Sequence, residues 1–119
     1  MGDWKRQQSR TYRLSLIIEL MKRLKNIHPG EILQEEFLTP LGLTVYRLSK
    51  EIGIPQTRTH QILKGNRRIT ADTAIRLAKF FGNSAKFWLG IQDDFDIEEE
   101  IREKQTDLKH IRTYWSNAA

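Results

Sequence analysis

The sequence predicts an all-α fold, and three observations carry that expectation. Apolar residues recur at helical spacing in successive tracts, hydroxyl or proline residues stand where those tracts begin, and glycines stand where they end. No tract alternates apolar and polar residues as a half-buried strand would, and no hairpin turn signal occurs.

His28-Pro29-Gly30 and Pro40-Leu41-Gly42 frame the first core helix, expected over about residues 30–39, with Ile32, Leu33, Glu36 and Phe37 at helical spacing. Thr44 is placed to cap a second helix, because its hydroxyl can accept from an unsatisfied amide of the first turn. That helix runs through Tyr46, Leu48 and Ser49 to Ile52, and Gly53 ends it. Ile54-Pro55 opens a third helix from Gln56 to Leu63, with proline tolerated where a helix has no use for its missing N–H. Thr70 should cap a fourth helix with the apolar face Ala74, Leu77, Ala78 and Phe81, stopped by Gly82-Asn83. Ser84 should cap a fifth containing Phe87, Trp88, Leu89 and Ile91. Beyond Asp93-Asp94-Phe95-Asp96 a last, polar helix is expected, with a sparse stripe of Ile97, Ile101, Leu108, Ile111 and Trp115.

A chain of 119 residues, 39% of them hydrophobic, suits one domain with extensions rather than two cores. The absence of cysteine excludes disulfides, zinc–thiolate sites and thiol catalysis, and fits a reducing cytoplasm. No apolar run reaches the roughly 18 residues that a membrane span needs. Glu19, Lys22 and Arg23 break the longest candidate, and nothing near it resembles a signal-peptide cleavage site. The net charge of +5 is unevenly spread. Residues 1–28 carry seven Lys/Arg against two Asp/Glu, residues 29–90 nine against five, and residues 91–119 four against eight. A basic body with an acidic end suits a polyanionic partner held away from the tail; the competing reading is an ordinary solvated surface.

The segment from Val45 to Ile62 has what a helix-turn-helix requires. Two helices that cross closely need a small residue, which Ser49 supplies. The tight turn needs a left-handed backbone, and Gly53 follows four positions later. Leu48, Ile52, Ile54 and Ile62 are the expected buried contacts. Thr59 stands where a larger aliphatic side chain is usual, and its methyl can pack if its hydroxyl bonds back to the helix. Short helix pairs with a glycine turn also occur in proteins that bind no DNA. What distinguishes this pair is its outward face of Gln56, Thr57, Arg58, His60, Gln61 and Lys64, where amides, hydroxyls and cations dominate. Glutamine can bond adenine through two atoms, and arginine the O6 and N7 of guanine. Gly65-Asn66-Arg67-Arg68 forms a short cationic loop suited to phosphate.

The run His28-Pro29-Gly30-Glu31-Ile32-Leu33 with Glu35-Glu36-Phe37-Leu38 resembles the opening of the HigA (VapI-like) antitoxins. The likeness continues through Leu48-Ser49, Gly53-Ile54-Pro55, residues 62–70, residues 74–78 and Phe87-Trp88-Leu89, and covers about residues 21–97. It implies a five-helix Xre-type, lambda-repressor-like domain. It also implies a dimeric antitoxin that binds double-stranded operator DNA, represses its own operon and neutralises a HigB-like ribonuclease toxin. By position, Gln56, Thr57, His60 and Gln61 fall where such domains read bases, and Arg58, Lys64, Arg67 and Arg68 where they meet phosphate. Two departures stand out: Pro55 replaces the serine usual at the recognition-helix cap, and the extension before His28 is longer than the family opening needs.

These readings divide the chain into a basic extension (1–27), the DNA-binding domain (28–92) and an acidic C-terminal helix (93–119). Residues 1–20 are open to two readings. They are an upstream start before a natural beginning at Met21, or a basic helix presenting Leu14, Ile17, Ile18, Met21 and Leu24 on one face. An N-terminal peptide identified by mass spectrometry separates the two. A homodimer is expected, since one such motif touches too few bases, with its contact built from Phe87, Trp88, Phe95 and Ile97. Phe87-Trp88-Leu89 also reads as core. His28, His60 and His110 lack metal-ligand spacing, and the acidic cluster of residues 93–100 lacks the pattern of a calcium loop. That cluster suits a helix N-terminus, or a contact for a basic toxin. No nucleophile–base pair or phosphate-cradling loop appears, so neither an enzyme nor a cofactor is expected. A stand-alone Xre-type regulator and a protein-binding helical module remain as rivals.

Overall fold

Residues 16–17 and 25–115 are described by the computed structural model, and among them every regular element is a helix. Expectations about Leu14, Ile18, Met21 and Leu24 lie outside the described residues. α1 is a continuous helical run over 29–41, made of Pro29–Ile32, a wider π turn Leu33–Leu38 and Thr39–Leu41. It is followed by α2 (Val45–Ile52), α3 (Gln56–Leu63), α4 (Ala71–Phe81), α5 (Ala85–Glu103) and α6 (Gln105–Lys109). α2 crosses α3, α1 lies against α3 and α5, and α4 packs along α5.

The ends of these helices follow the local chemistry. Thr44 accepts from the Arg47 N–H at 3.0 Å, and Ser84 from the Phe87 N–H at 3.0 Å. At Gly53 the backbone turns left-handed (φ 73°), and the amides of Gly53 and Ile54 both reach the Ser49 carbonyl at 2.9 and 3.0 Å. Thr70 precedes α4, but its hydroxyl makes no capping bond there. α1 runs further than expected. The π turn ends just before Pro40, whose missing N–H cannot continue the regular ladder, and the helix closes one turn later at Gly42.

The largest difference is in the acidic region. α5 passes through Asp93–Asp96 without a break, so a division at 92/93 marks a change of charge along one helix. Aspartates are compatible with a helix whose other face is packed, and Trp88, Ile91 and Gln92 are buried on that face. The polar helix after it is short, and Ile111 and Trp115 lie past its end.

Leu48, Ile52, Ile54 and Ile62 are buried as expected, joined by Ile32, Leu33, Ile69 and Leu77. Trp88 is 0% exposed, with its ring 4.8 Å from Phe37 and 5.0 Å from Phe87, and its Nε1–H donates to Asn83 Oδ1 at 2.8 Å. Its place in the expected dimer contact is therefore corrected: an indole filled around by its own fold has no surface to offer a partner. Phe87 is half-buried, Phe95 is half-buried against the His28 ring at 4.9 Å, and Ile97 is 57% exposed.

His28 caps α1 through Nδ1, which accepts the Gly30 N–H at 2.9 Å. Burial pushes its pKa below the ordinary histidine value, against the opposing pull of the Asp96 and Glu31 carboxylates. The unfolded chain therefore takes up the extra proton first. This group's stabilisation is complete above the ordinary histidine pKa of about 6.5 and is lost as the pH falls below it. Melting temperature should accordingly drop between about pH 7.5 and pH 5. His28→Asn, which keeps a capping acceptor but cannot titrate, should show a smaller drop in the same scan.

Candidate nucleic-acid interface

The close crossing of α2 and α3 is held by a contact the sequence only half revealed. Ser49 and Thr59 are both buried, and their hydroxyls bond each other at 2.7 Å. Thr59 thus satisfies its hydroxyl across the helix pair rather than against its own helix, and this answers why a threonine stands at an aliphatic position. Removing one partner would strand the other in the core, at a cost of about 1–3 kcal/mol.

With Thr59 and Ile62 inward, α3 turns Gln56, Thr57, His60 and Gln61 to solvent. Lys64, Arg67 and Arg68 continue this exposed surface beyond the helix, and Arg58 is half-buried beside it. Seven of the eight sequence-predicted residues are thus exposed on or just beyond α3, and Arg58 is half-buried. Their partners differ. Arg67 Nη1 donates to Gln61 Oε1 at 3.1 Å, so the loop touches the helix face it follows. Arg58 Nη1 lies 3.1 Å from Asp72 Oδ2. Arg68 Nη2 lies 2.8 Å from Asp96 Oδ2 and 3.8 Å from Asp93 Oδ1. Among the described residues, Lys64 and Arg67 form no ion pair.

Five residues that frame this surface carry no local signal that assigns them to it. Asp72 on α4 holds Arg58 and also accepts from Arg76 Nε at 3.1 Å. The Arg76 bond, supported by Arg58, keeps its carboxyl below the usual carboxylate range. Arg76 in turn donates to the Ile52 carbonyl at 2.9 Å, capping the open end of α2 beside the turn. Asp96 and Gln92 on α5 hold the loop after α3. Gly30 on α1 meets the end of α3 so closely that a Cβ there would fall 2.8 Å from the Ile62 carbonyl carbon and 3.0 Å from Leu63 Cα. The Asp72–Arg76 pair was legible as an i,i+4 spacing. The other contacts join residues 14 to 33 positions apart, and no local spacing announces them.

Two crossed helices sealed by a buried hydroxyl pair, with an exposed polar second helix and cations at its end, define a DNA-binding helix-turn-helix protein. A helix-turn-helix family model matches residues 34–88. Virulence-associated protein I of Dichelobacter nodosus is 44% identical over 80 residues, which span 67% of this chain and 74% of that protein. An addiction-module antidote protein of the HigA family from Coxiella burnetii is 44% identical with a TM-score of 0.72, covering 76% of this chain and 99% of that one. The structure of the Pseudomonas aeruginosa antitoxin HigA with the higBA promoter gives 30% identity and a TM-score of 0.73, covering 76% and 99%. The chain belongs to this family of HigA and VapI-type helix-turn-helix proteins. The all-α expectation and the family resemblance both hold.

Proposed function

We propose that the chain is a sequence-specific DNA-binding repressor and the antitoxin of a toxin–antitoxin pair, which represses its own operon and neutralises a HigB-like ribonuclease. The unobstructed polar face of α3 is the observation that carries this reading. Gln56, Thr57, His60 and Gln61 would read base edges, while Arg58, Lys64, Arg67 and Arg68 would meet phosphate. The similar HigA structure bound to a promoter supports operator DNA as the ligand, and the antidote and antitoxin relatives support the toxin.

A homodimer suits the reading, because two helices related by a two-fold axis reach successive major grooves about 34 Å apart. Ile97 and, one turn on, Ile101 are exposed on α5, with Phe87 and Phe95 on the same helix. These residues, without Trp88, would form the dimer contact. No helix among the described residues is long and apolar enough to cross a membrane, and we place the protein with its DNA in the cytoplasm.

Gel shifts with the chain's own promoter test the proposal. Gln56→Ala should relax base preference at one position of each half-site, at about 1–3 kcal/mol per contact. Arg67→Ala should weaken all sequences alike and lower the slope of log affinity against log salt by about 1. If both variants bind as the parent does, the interface is misplaced. Co-purification with a small basic neighbour-gene product separates the antitoxin from a stand-alone regulator, which would bind the promoter but hold no toxin.

A further inference from the structure

We propose that Asp96, held by Gln92, is a positioning residue for the Arg68 phosphate contact, so that α5 takes part in DNA binding without entering the groove. This rests on the reading of Arg68 as a phosphate ligand given above.

Four groups form a closed ring. Gln92 is 1% exposed, and its Oε1 accepts the N–H of Ile69, the residue beside Arg68, at 2.7 Å. Its Nε2 donates to Asp96 Oδ1 at 2.9 Å. The other carboxylate oxygen, Oδ2, accepts from Arg68 Nε at 3.2 Å and Nη2 at 2.8 Å. One buried amide thus holds both the backbone next to the arginine and the carboxylate that grips its side chain. An ordinary surface ion pair, made between two freely rotating side chains, has no such anchor.

The direction of the grip matters as much as its strength. A guanidinium is planar with donors in fixed directions, so side-on engagement through Nε and Nη2 leaves the Nη1 donors turned away from Asp96. Those donors are available to an anion, and the arginine that carries them is already ordered. Two bonds to one carboxylate oxygen fix the plane of the fork, which a phosphate must meet at a set angle.

Coulomb's law alone predicts the opposite of this role. A carboxylate near DNA repels it, so if Asp96 merely competes for Arg68, removing its charge should tighten binding. Positioning predicts weakening. The sign decides.

The test uses the full chain and its own operator duplex, with affinity measured by fluorescence anisotropy across a salt series. Arg68→Ala should weaken binding and lower the salt slope by about 1. Asp96→Asn keeps a carbonyl oxygen for Gln92 but can present an amide donor to Arg68 in place of an acceptor. It should weaken binding by about threefold or more, at the low end of coupling within one bonded network, while the melting temperature stays near the parent's. In an Arg68→Ala background Asp96→Asn should cause no further loss, since the carboxylate acts through the arginine. Arg68→Lys, which keeps the charge but not the planar fork, should bind more weakly than the parent, and it serves if Asp96→Asn fails to fold. Parental or tighter affinity of Asp96→Asn or Arg68→Lys overturns the inference, as does a further loss in the double variant. If Arg68→Ala itself leaves affinity and slope unchanged, the phosphate reading fails, and the positioning role fails with it.

Discussion

Gly30→Ala is expected to destabilise the fold by about 3 kcal/mol or more, the upper range for forcing atoms into a packed interior. It should also weaken operator binding in the protein that remains folded. Helix propensity by itself points the other way, since alanine in a helix is better than glycine by about 1 kcal/mol. The deciding fact is what the new methyl would meet: the Ile62 carbonyl and the Leu63 Cα, backbone atoms that cannot rotate aside. The strain would be relieved only by moving α1 away from the end of α3, which changes how the base-facing side chains are presented. Denaturant unfolding reports the first effect, and anisotropy titration well below the melting temperature reports the second. A Gly30→Ala protein as stable as the parent would show that α1 does not press on the recognition helix at all.

Trp88→Ala should cost about 3–5 kcal/mol, typical of truncating a large buried aromatic. A domain of this size has about 5–15 kcal/mol in total, so the variant should lose a large share of its stability and melt well below the parent. The indole is wholly interior, tilted against Phe37 and edge-on to Phe87, and no small movement of these rings can refill its volume. Trp88→Phe should lose far less, mainly the Nε1–H bond to Asn83. It should also leave the oligomeric state unchanged, because position 88 does not reach the surface. Thermal melts and sedimentation velocity check the two halves; a monomeric Trp88→Phe protein would return residue 88 to the dimer contact.

Helix ends were the most legible part of this chain. Thr44, Gly53 and Ser84 act on amides and carbonyls within five positions, so residue type and place nearly settle the outcome. Thr70 shows the margin of that rule: it stands at the expected place, yet its hydroxyl makes no capping bond. By local preference Asp93–Asp96 marks a break, because aspartate prefers helix starts. Burial of the apolar face of α5 outweighs that preference and carries the helix through. The exposed set on α3 was legible by subtraction, since Thr59 and Ile62 must face inward and the remaining positions cannot. Its partners were not.

The residues alone determined that this chain is helical, where most helices begin and end, and which side of α3 is hydrophilic. Each of these depends on neighbours within a turn or two, where hydrogen bonds and apolar spacing act locally. Only the tertiary structure decided that Ser49 meets Thr59, that Gly30 touches the end of α3, that Trp88 is sealed inside, and that Asp72 and Asp96 each hold an arginine beside the recognition helix. Those contacts join positions 10 to 33 apart or depend on how whole helices pack, and their geometry comes into being only when the helices dock against one core.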